Sequence, residues 1–363
     1  MVQVVQDKEV NKYEEFDNRT IGSRRERVAV TNLPLIDLDP FLNKSTLEER
    51  KRSANALHEA CVNTGFFYLG GHGFTAAELD NVVSESKRFF TLPLADKMTV
   101  EMQGLERPGF VQNRASEAGQ TADIKERFLS VPEPGPGEPA IGHFKEGTRT
   151  LWPAPEIAPG FEIMLKEYLR RLVGVSRALV RAFAFSLHLP EDYFDAYVED
   201  PSCWLALNYY PSVDPAVVKP TQWSFSPHTD YGMFTILLQD NVGGLQVRNA
   251  SEEWIDVPPR PGTFVVNVAD LFARWTNDLY VSTLHRGLNI NSANRLSAAF
   301  FVSPHGDTIV RCLETCQGPG NPARYEPVEA GGYYQVLLEQ AQRQGRASVA
   351  AETAQRLKVN NGT

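Results

Sequence analysis

Cysteine is scarce in this chain. Cys61, Cys203, Cys312 and Cys316 are the only four in 363 residues, too few and too scattered for the disulfide framework of a small secreted domain. Cys312 and Cys316 have no second Cys or His pair at zinc-ribbon spacing, so they read as ordinary reduced thiols. Long apolar runs are missing as well. None approaches the ~18–20 residues of a membrane helix, which excludes a spanning segment of that kind. Met1 to Arg27 is polar and charged, without the apolar core of a secretory signal. The sequons at Asn18, Asn43, Asn249 and Asn361 are therefore read as chance matches. Nor is there a basic excess: 36 Lys and Arg stand against 45 Asp and Glu, a formal charge of −9. That balance argues against a generic nucleic-acid binder. These absences together predict a soluble, cytoplasmic protein with no membrane and no nucleic-acid partner.

What remains is an ordinary globular composition, 42% apolar and 22% charged, which excludes a disordered or fibrous chain. Length alone suggests two domains of roughly 100–200 residues each. Residues 1–30 show little periodic hydrophobicity and read as a loosely attached leader. Leu33 to Leu38 reads as a short buried strand. Ser45-Thr46-Leu47-Glu48 is a capping-box pattern (Ser45 with Glu48) opening a helix that runs to Asn63 and stops at Gly65. Phe66-Phe67-Tyr68-Leu69 reads as a strand. A second box, Thr75 with Glu78, starts a helix with Leu79, Val82, Val83, Ser86, Phe89 and Phe90 at helical spacing, ended by Pro93. Residues 132–139 hold four prolines and two glycines, which is loop chemistry. A long helix follows, its apolar stripe running from Phe161 to Phe183 and stopping near Pro190. Beyond residue 200 the runs are short: Trp204–Tyr210, Phe234–Gln239, Leu245–Arg248, Trp254–Val257, Phe264–Val268 and Leu296–Val302. Their turn punctuation predicts an all-β sandwich or jelly roll. A helical tail begins at about Gly332.

The chemistry concentrates in Ser226-Pro227-His228-Thr229-Asp230. Residues two apart on an extended segment point to the same side, so His228 and Asp230 can share one metal. His285 is the natural third ligand. Two imidazoles and a carboxylate on one face of an octahedron leave three positions open, which suits non-haem Fe(II) and O₂ chemistry. Ten residues on, Arg295 and Ser297 again share a strand face and present a guanidinium fork with a hydroxyl, a pair suited to holding a carboxylate. Upstream, Asn208 and Tyr210 share a face and can add an amide and a phenol to the same pocket. Phe110, Phe225, Trp223 and Met233 are aromatic or sulfur-bearing candidates for its wall. For the remaining histidines the structural reading is preferred: His58 on a helix surface, His72 in a Gly-rich turn, and no motif around His143, His188 or His305.

His228-Thr229-Asp230, Gly243-Gly244-Leu245-Gln246-Val247, His285 and Arg295-Leu296-Ser297, in that order, resemble the signature of the Fe(II)/2-oxoglutarate-dependent dioxygenases, in the branch grouped with isopenicillin N synthase. Leu35-Ile36-Asp37-Leu38, Gly65–Gly73 and Phe89-Phe90-Thr91-Leu92-Pro93 resemble that family's N-terminal region, so the likeness spans about residues 33–305. The resemblance implies a mainly β core with flanking α-helices, folded as a double-stranded β-helix (jelly roll). It implies iron on His228, Asp230 and His285, and 2-oxoglutarate gripped at its far carboxylate by Arg295 and Ser297, with Asn208 and Tyr210 nearby. It implies O₂ as cosubstrate and ascorbate as a supporting reductant. Phe301 matches a position lining the family's substrate pocket, with Ser303 on the same face; Asp123 to Phe128 resembles a segment near the substrate. The reaction implied is oxidation of an unactivated C–H of a small-molecule metabolite, by hydroxylation, desaturation or ring or ether closure, coupled to decarboxylation of 2-oxoglutarate to succinate and CO₂. The chain then divides into a leader (1–30), an N-terminal region (31–150), a supporting helix (151–200), a jelly-roll core (201–310) and a C-terminal extension (311–363). We read these as one elaborated domain, a monomer or weak homodimer. Two rivals are carried: an oxidase of the isopenicillin N synthase or aminocyclopropane-carboxylate oxidase type that does not consume 2-oxoglutarate, and a binding protein on a retired enzyme fold. Succinate release separates the first, and the intact ligand set argues against the second.

Overall fold

Capping chemistry sets the first helices. A computed structural model describes residues 27–43, 45–112, 125–133, 147–198, 201–212, 225–288, 293–337 and 339. Most of the leader, the proline-rich stretch from 134 onward, Asp123, Ile124, His143 and Trp223 lie outside them. After a short turn of helix, α1 (Asp39–Leu42), helix α2 spans Leu47–Asn63. Its box falls one residue later than Ser45 and Glu48. Thr46 is the cap, accepting from the Glu49 N–H at 3.3 Å and donating its own N–H to Glu49 at 2.8 Å. The Ser45 hydroxyl bonds the Pro40 carbonyl instead, at 2.7 Å. Both pairs satisfy the spacing; Thr46 wins because its extended backbone (φ −73°, ψ 156°) is where the chain enters the helix. Helix α3 (Ala76–Phe90) carries the Thr75/Glu78 box as expected and is followed by α4 (Leu94–Met98).

The long helix α5 (Phe161–Ser186) buries Phe161, Leu165, Leu172, Leu179 and Phe183 completely, each worth roughly 1.5–3 kcal/mol relative to exposure. It ends before Pro190 by its own geometry. His188 takes the left-handed conformation (φ 58°) and Leu189 donates its N–H back to Ala184 at 3.0 Å, closing the last carbonyls. Helices α2 and α3 pack on α5. His58, on α2, is half-buried rather than on the surface, because its Nδ1 meets the Tyr280 hydroxyl at 3.0 Å. No helix among the described residues is long and apolar enough to cross a membrane.

The strands are β1 (Leu35–Asp37), β2 (Phe66–Gly70), β3 (Phe110–Val111), β4 (Glu126–Ser130), β5 (Ser202–Tyr210), β6 (Phe225–His228), β7 (Phe234–Gln239), β8 (Leu245–Arg248), β9 (Trp254–Asp256), β10 (Phe264–Val268), β11 (His285–Gly287) and β12 (Arg295–Ser303). A small hairpin of β13 (Ile309–Val310) and β14 (Val328–Glu329) follows, then helical residues from 330. Eight strands form one sheet in the order β1-β2-β10-β7-β12-β5-β4-β3, and four form a second, β6-β11-β8-β9. The outer face of the large sheet packs on the helices: Phe89 of α3 stacks on Phe161 at 4.7 Å and meets Phe128 of β4 edge-on at 5.1 Å, while Phe90 stacks on Tyr209 of β5 at 5.1 Å. Alternation along β5 then turns Asn208 and Tyr210 to the inner face. Phe66, Tyr68 and Val265 of the large sheet close against Leu245, Val247 and Val257 of the smaller sheet and its edge. This is a jelly-roll arrangement, a mainly β core with helices on the outside.

Candidate active site

His228 ends β6 and lies directly opposite His285 of the antiparallel neighbour β11, so register alone brings the two rings to a centroid separation of 4.1 Å. Asp230 stands two residues past the strand end, on a turn docked to α6 (Asp270–Trp275): the Asp270 N–H donates to the Asp230 carbonyl at 2.8 Å, and that of Leu271 to Gly232 at 3.0 Å. Gly232 is required here, since a Cβ would stand 2.5 Å from the Ser303 hydroxyl and 2.6 Å from the Val302 carbonyl. Asp230 Oδ1 sits 3.5 Å from His228 Nε2 and 3.8 Å from His285 Nε2. Its other oxygen, Oδ2, is already engaged, accepting from the Thr235 hydroxyl at 2.5 Å and the Asn267 amide at 2.7 Å.

His285 Nδ1 faces the Thr283 carbonyl at 3.1 Å. That contact selects the tautomer with Nδ1–H donating and leaves the Nε2 lone pair toward Asp230. Burial, then the neighbouring His228, pushes the His285 imidazole down to about 4, so it is neutral at physiological pH. Burial works to raise the Asp230 carboxyl, yet His285, His228 and the Thr235 hydroxyl outweigh it and hold the group well below the usual carboxylate range. The two imidazoles and the Asp230 carboxylate, with one ligand atom from each all within 4.8 Å of one another, form the one ligand cluster of this type among the described residues. The donor set fits a divalent metal bound on one face, with the opposite face open.

Arg295, Ser297, Asn208 and Tyr210 also come together. On the β5/β12 pair Arg295 is opposite Tyr210 and Ser297 is opposite Asn208, so two i, i+2 pairs become a patch two residues by two on the inner face. All four are under a tenth exposed. Arg295 Nε–H donates to the Gly243 carbonyl at 2.7 Å, and its guanidinium lies 4.9 Å from the Tyr210 ring centre. The triad and this patch share one cavity of about 1220 Å³ between the two sheets. Single small-molecule sites are commonly about 300–1,000 Å³, so there is room for a cosubstrate and a substrate together.

Phe225, Phe301 and Ser303 line this cavity. Phe110 does not. It is fully buried in the aromatic core 6.2 Å from Phe89, beneath the Lys97 ammonium, and its neighbour Val111 lines the cavity because alternation turns the following residue inward. Met233 is likewise core. On β4, Arg127 and Leu129 face the cavity, whereas Glu126 pairs with Lys97 at 2.7 Å and Phe128 joins the core. His305, which carries no motif, is on the cavity rim. Sequence reasoning misses Thr235 and Asn267, the two donors to Asp230. The available signal is a lone Asn in the otherwise apolar and fully buried Phe264–Val268. It also misses the edge-to-face pair Tyr231 and Tyr334, ring centres 6.1 Å apart, on the cavity wall. Burial raises both phenols, Tyr334 to about 12, so both are protonated donors there.

A His–Asp–His cluster open on one face, set between the sheets of a jelly roll beside a buried Arg–Ser pair, defines a mononuclear non-haem iron oxygenase. The sequence matches the 2OG-Fe(II) oxygenase superfamily over residues 201–304 and the family described as non-haem dioxygenase in morphine synthesis N-terminal over 33–155. It is 34% identical to the 2-oxoglutarate-Fe(II) type oxidoreductase ppzC of Metarhizium majus, covering 82% of this chain and 84% of that one. It is 31% identical to a homoarginine-6-hydroxylase of Oryza sativa subsp. japonica, over 82% and 94%. A full-length Neurospora crassa protein crystallised with alpha-KG and thymine superposes with a TM-score of 0.73 at 28% identity, over 83% of this chain and 94% of that one. The chain belongs to the 2-oxoglutarate- and Fe(II)-dependent oxygenases. It is an oxidoreductase that uses Fe(II), 2-oxoglutarate and O₂, and the oxidase reading that dispenses with 2-oxoglutarate is not favoured.

Proposed function

We propose that this oxygenase oxidises an unactivated C–H bond of a small-molecule metabolite in specialised metabolism, by hydroxylation, desaturation or oxidative ring or ether closure. Arg295, Ser297, Asn208 and Tyr210 hold 2-oxoglutarate, and Phe301, Ser303 and Phe225 contact the substrate. The observation that carries this reading is the cross-strand patch of Arg295, Tyr210, Ser297 and Asn208 opening into the same cavity as the His–Asp–His cluster. A buried guanidinium beside a hydroxyl and a phenol is a strong, charge-assisted cradle for a dicarboxylate's far end. Iron bound on His228, Asp230 and His285 supplies the redox chemistry that couples decarboxylation of 2-oxoglutarate to C–H oxidation. The chain's own residues supply the rest: Thr235 and Asn267 aim one Asp230 oxygen at the metal, and Thr283 fixes the His285 tautomer.

Phe301 lies opposite Trp204 across β12 and β5, and Tyr231 and Tyr334 stand together on the wall. These aromatic surfaces favour a substrate with an apolar or ring-bearing face. The acidic balance of 36 basic against 45 acidic residues supports a partner other than nucleic acid. We keep the cytoplasm as its location and a monomer or weak homodimer as its state.

The test is succinate release by Fe(II)-loaded protein against a panel of plant and fungal metabolites. One or more compounds should raise succinate above the substrate-free rate, with oxidised product in step. Product formed at full rate without 2-oxoglutarate overturns the reading.

A further inference from the structure

Arg295 does not set its own orientation. Its Nε–H is committed to the Gly243 carbonyl at 2.7 Å, which leaves the terminal nitrogens of the fork for a ligand. Both halves of that bond, the start of β12 and the turn after β7, are tied to one carboxylate. Asp240 is 5% exposed and is not on the wall of the central cavity. Its Oδ2 accepts from the backbone N–H of Leu296, the residue after Arg295, at 2.7 Å. Its Oδ1 accepts from the backbone N–H of Val242, the residue before Gly243, at 3.1 Å. The Asp240 N–H returns to the Leu296 carbonyl at 3.1 Å. The turn needs its glycines: Gly243 and Gly244 have φ of 82° and 91°, and a Cβ on Gly244 would stand 2.4 Å from the Leu288 carbonyl.

A buried carboxylate needs a counter-charge, and Lys87 of α3 provides it, with Nζ 2.6 Å from Asp240 Oδ2. The chain of contacts thus runs from a half-exposed lysine on an outer helix, through Asp240, to the two backbone segments whose separation sets where the Arg295 fork points. The two backbone groups that Asp240 grips flank the donor and the acceptor of the Arg295–Gly243 bond.

We propose that Asp240, backed by Lys87, is a positioning residue that fixes Arg295 for the distal carboxylate of 2-oxoglutarate. This rests on the reading of Arg295 as the residue that grips that carboxylate. A misplaced fork loses the geometry of a bidentate contact, while His228 and His285 are carried by the other sheet and Asp230 keeps its own donors, Thr235 and Asn267.

The experiment measures 2-oxoglutarate binding to anaerobic Fe(II)-loaded full-length protein by calorimetry, with pyruvate, which lacks the distal carboxylate, as the control ligand. Asp240→Ala is expected to weaken 2-oxoglutarate about tenfold, ~1.4 kcal/mol, and to leave pyruvate binding and iron affinity at wild-type values. Asp240→Asn, which keeps the Leu296 contact and loses the Val242 one, falls between, and Lys87→Met shifts affinity the same way by a smaller factor; these two keep the test open if the alanine variant does not fold. In turnover the change shows as a raised KM for 2-oxoglutarate, larger than any change in kcat. In an Arg295→Gln background Asp240→Asn has no further effect. Equal loss of pyruvate and 2-oxoglutarate, or an Asp240 effect that persists without Arg295, overturns the positioning role. If Arg295→Gln itself binds 2-oxoglutarate like wild type, the underlying reading of Arg295 fails instead.

Discussion

Asp230 uses its two oxygens differently. Oδ2 accepts from Thr235 and Asn267, so Oδ1 alone is presented to the imidazoles of His228 and His285. Without either donor the buried carboxylate loses a hydrogen bond and the force that sets its rotation. Asn267→Ala and Thr235→Val should each weaken Fe(II) binding about 10–100-fold, measured by chelator competition; wild-type affinity in both would show that Oδ2 orientation is irrelevant. Two of the ligands, His228 and Asp230, are legible in the sequence by their i, i+2 spacing, although Asp230 stands on the turn past β6, and the same spacing exposes Arg295 with Ser297 and Asn208 with Tyr210. Thr235 and Asn267 are not legible, since each is one polar residue in a strand that reads as core, and no periodicity says which strand lies beneath which loop. Phe110 shows the opposite failure. Its aromatic character suggests a pocket wall, but strand alternation gives that wall to Val111.

At the scale of elements, the capping boxes fix where the helices begin, and one also ties a helix to its neighbour. Glu78 takes the Thr75 N–H at 2.7 Å and holds Arg171 of α5 at 2.7 Å. The Thr75 N–H, then Arg171 and the Thr75 hydroxyl, draw the Glu78 carboxyl down to about 2 from its ordinary 4.5. Because the folded state favours the charged form, the stabilisation is fully present above the ordinary value and is lost as pH falls through about 2. Urea midpoints of wild type and Glu78→Gln should therefore differ at pH 6 and converge below the folded value; a constant gap at every pH would refute a charge-dependent contact. The strands Phe234–Gln239, Leu245–Arg248 and Phe264–Val268 fall where the short runs between turn residues put them. The start of α2 does not, because Ser45/Glu48 and Thr46/Glu49 satisfy the same spacing and only the backbone's entry angle chooses between them.

Across the whole molecule, the large sheet joins strands from residue 35 to residue 303, and β2 pairs with β10 by setting Phe66 opposite Asn267. Pairing over two hundred residues leaves no trace in local periodicity, so the order of the strands is reachable only through resemblance to a known fold. The consequence is a cavity whose two walls come from different sheets, His228 and His285 on one and the Arg295 patch on the other. Ligands that fill it cross-link the sheets in the folded state and have no comparable site in the unfolded chain. Each one at a hundred times its Kd should then stabilise by about 2.7 kcal/mol, a rise of several degrees in Tm for a chain of this size. We expect Fe(II) or Mn(II) under anaerobic conditions to raise Tm, and 2-oxoglutarate to add a second rise only when metal is present. Arg295→Ala should keep the metal increment and lose most of the 2-oxoglutarate one, while His285→Ala should lose both, because the keto acid end then has nothing to chelate. EDTA should return loaded wild type to the metal-free Tm. A 2-oxoglutarate increment of full size in metal-free protein, or in Arg295→Ala, would show that the dicarboxylate binds elsewhere and that the two walls do not act on one ligand.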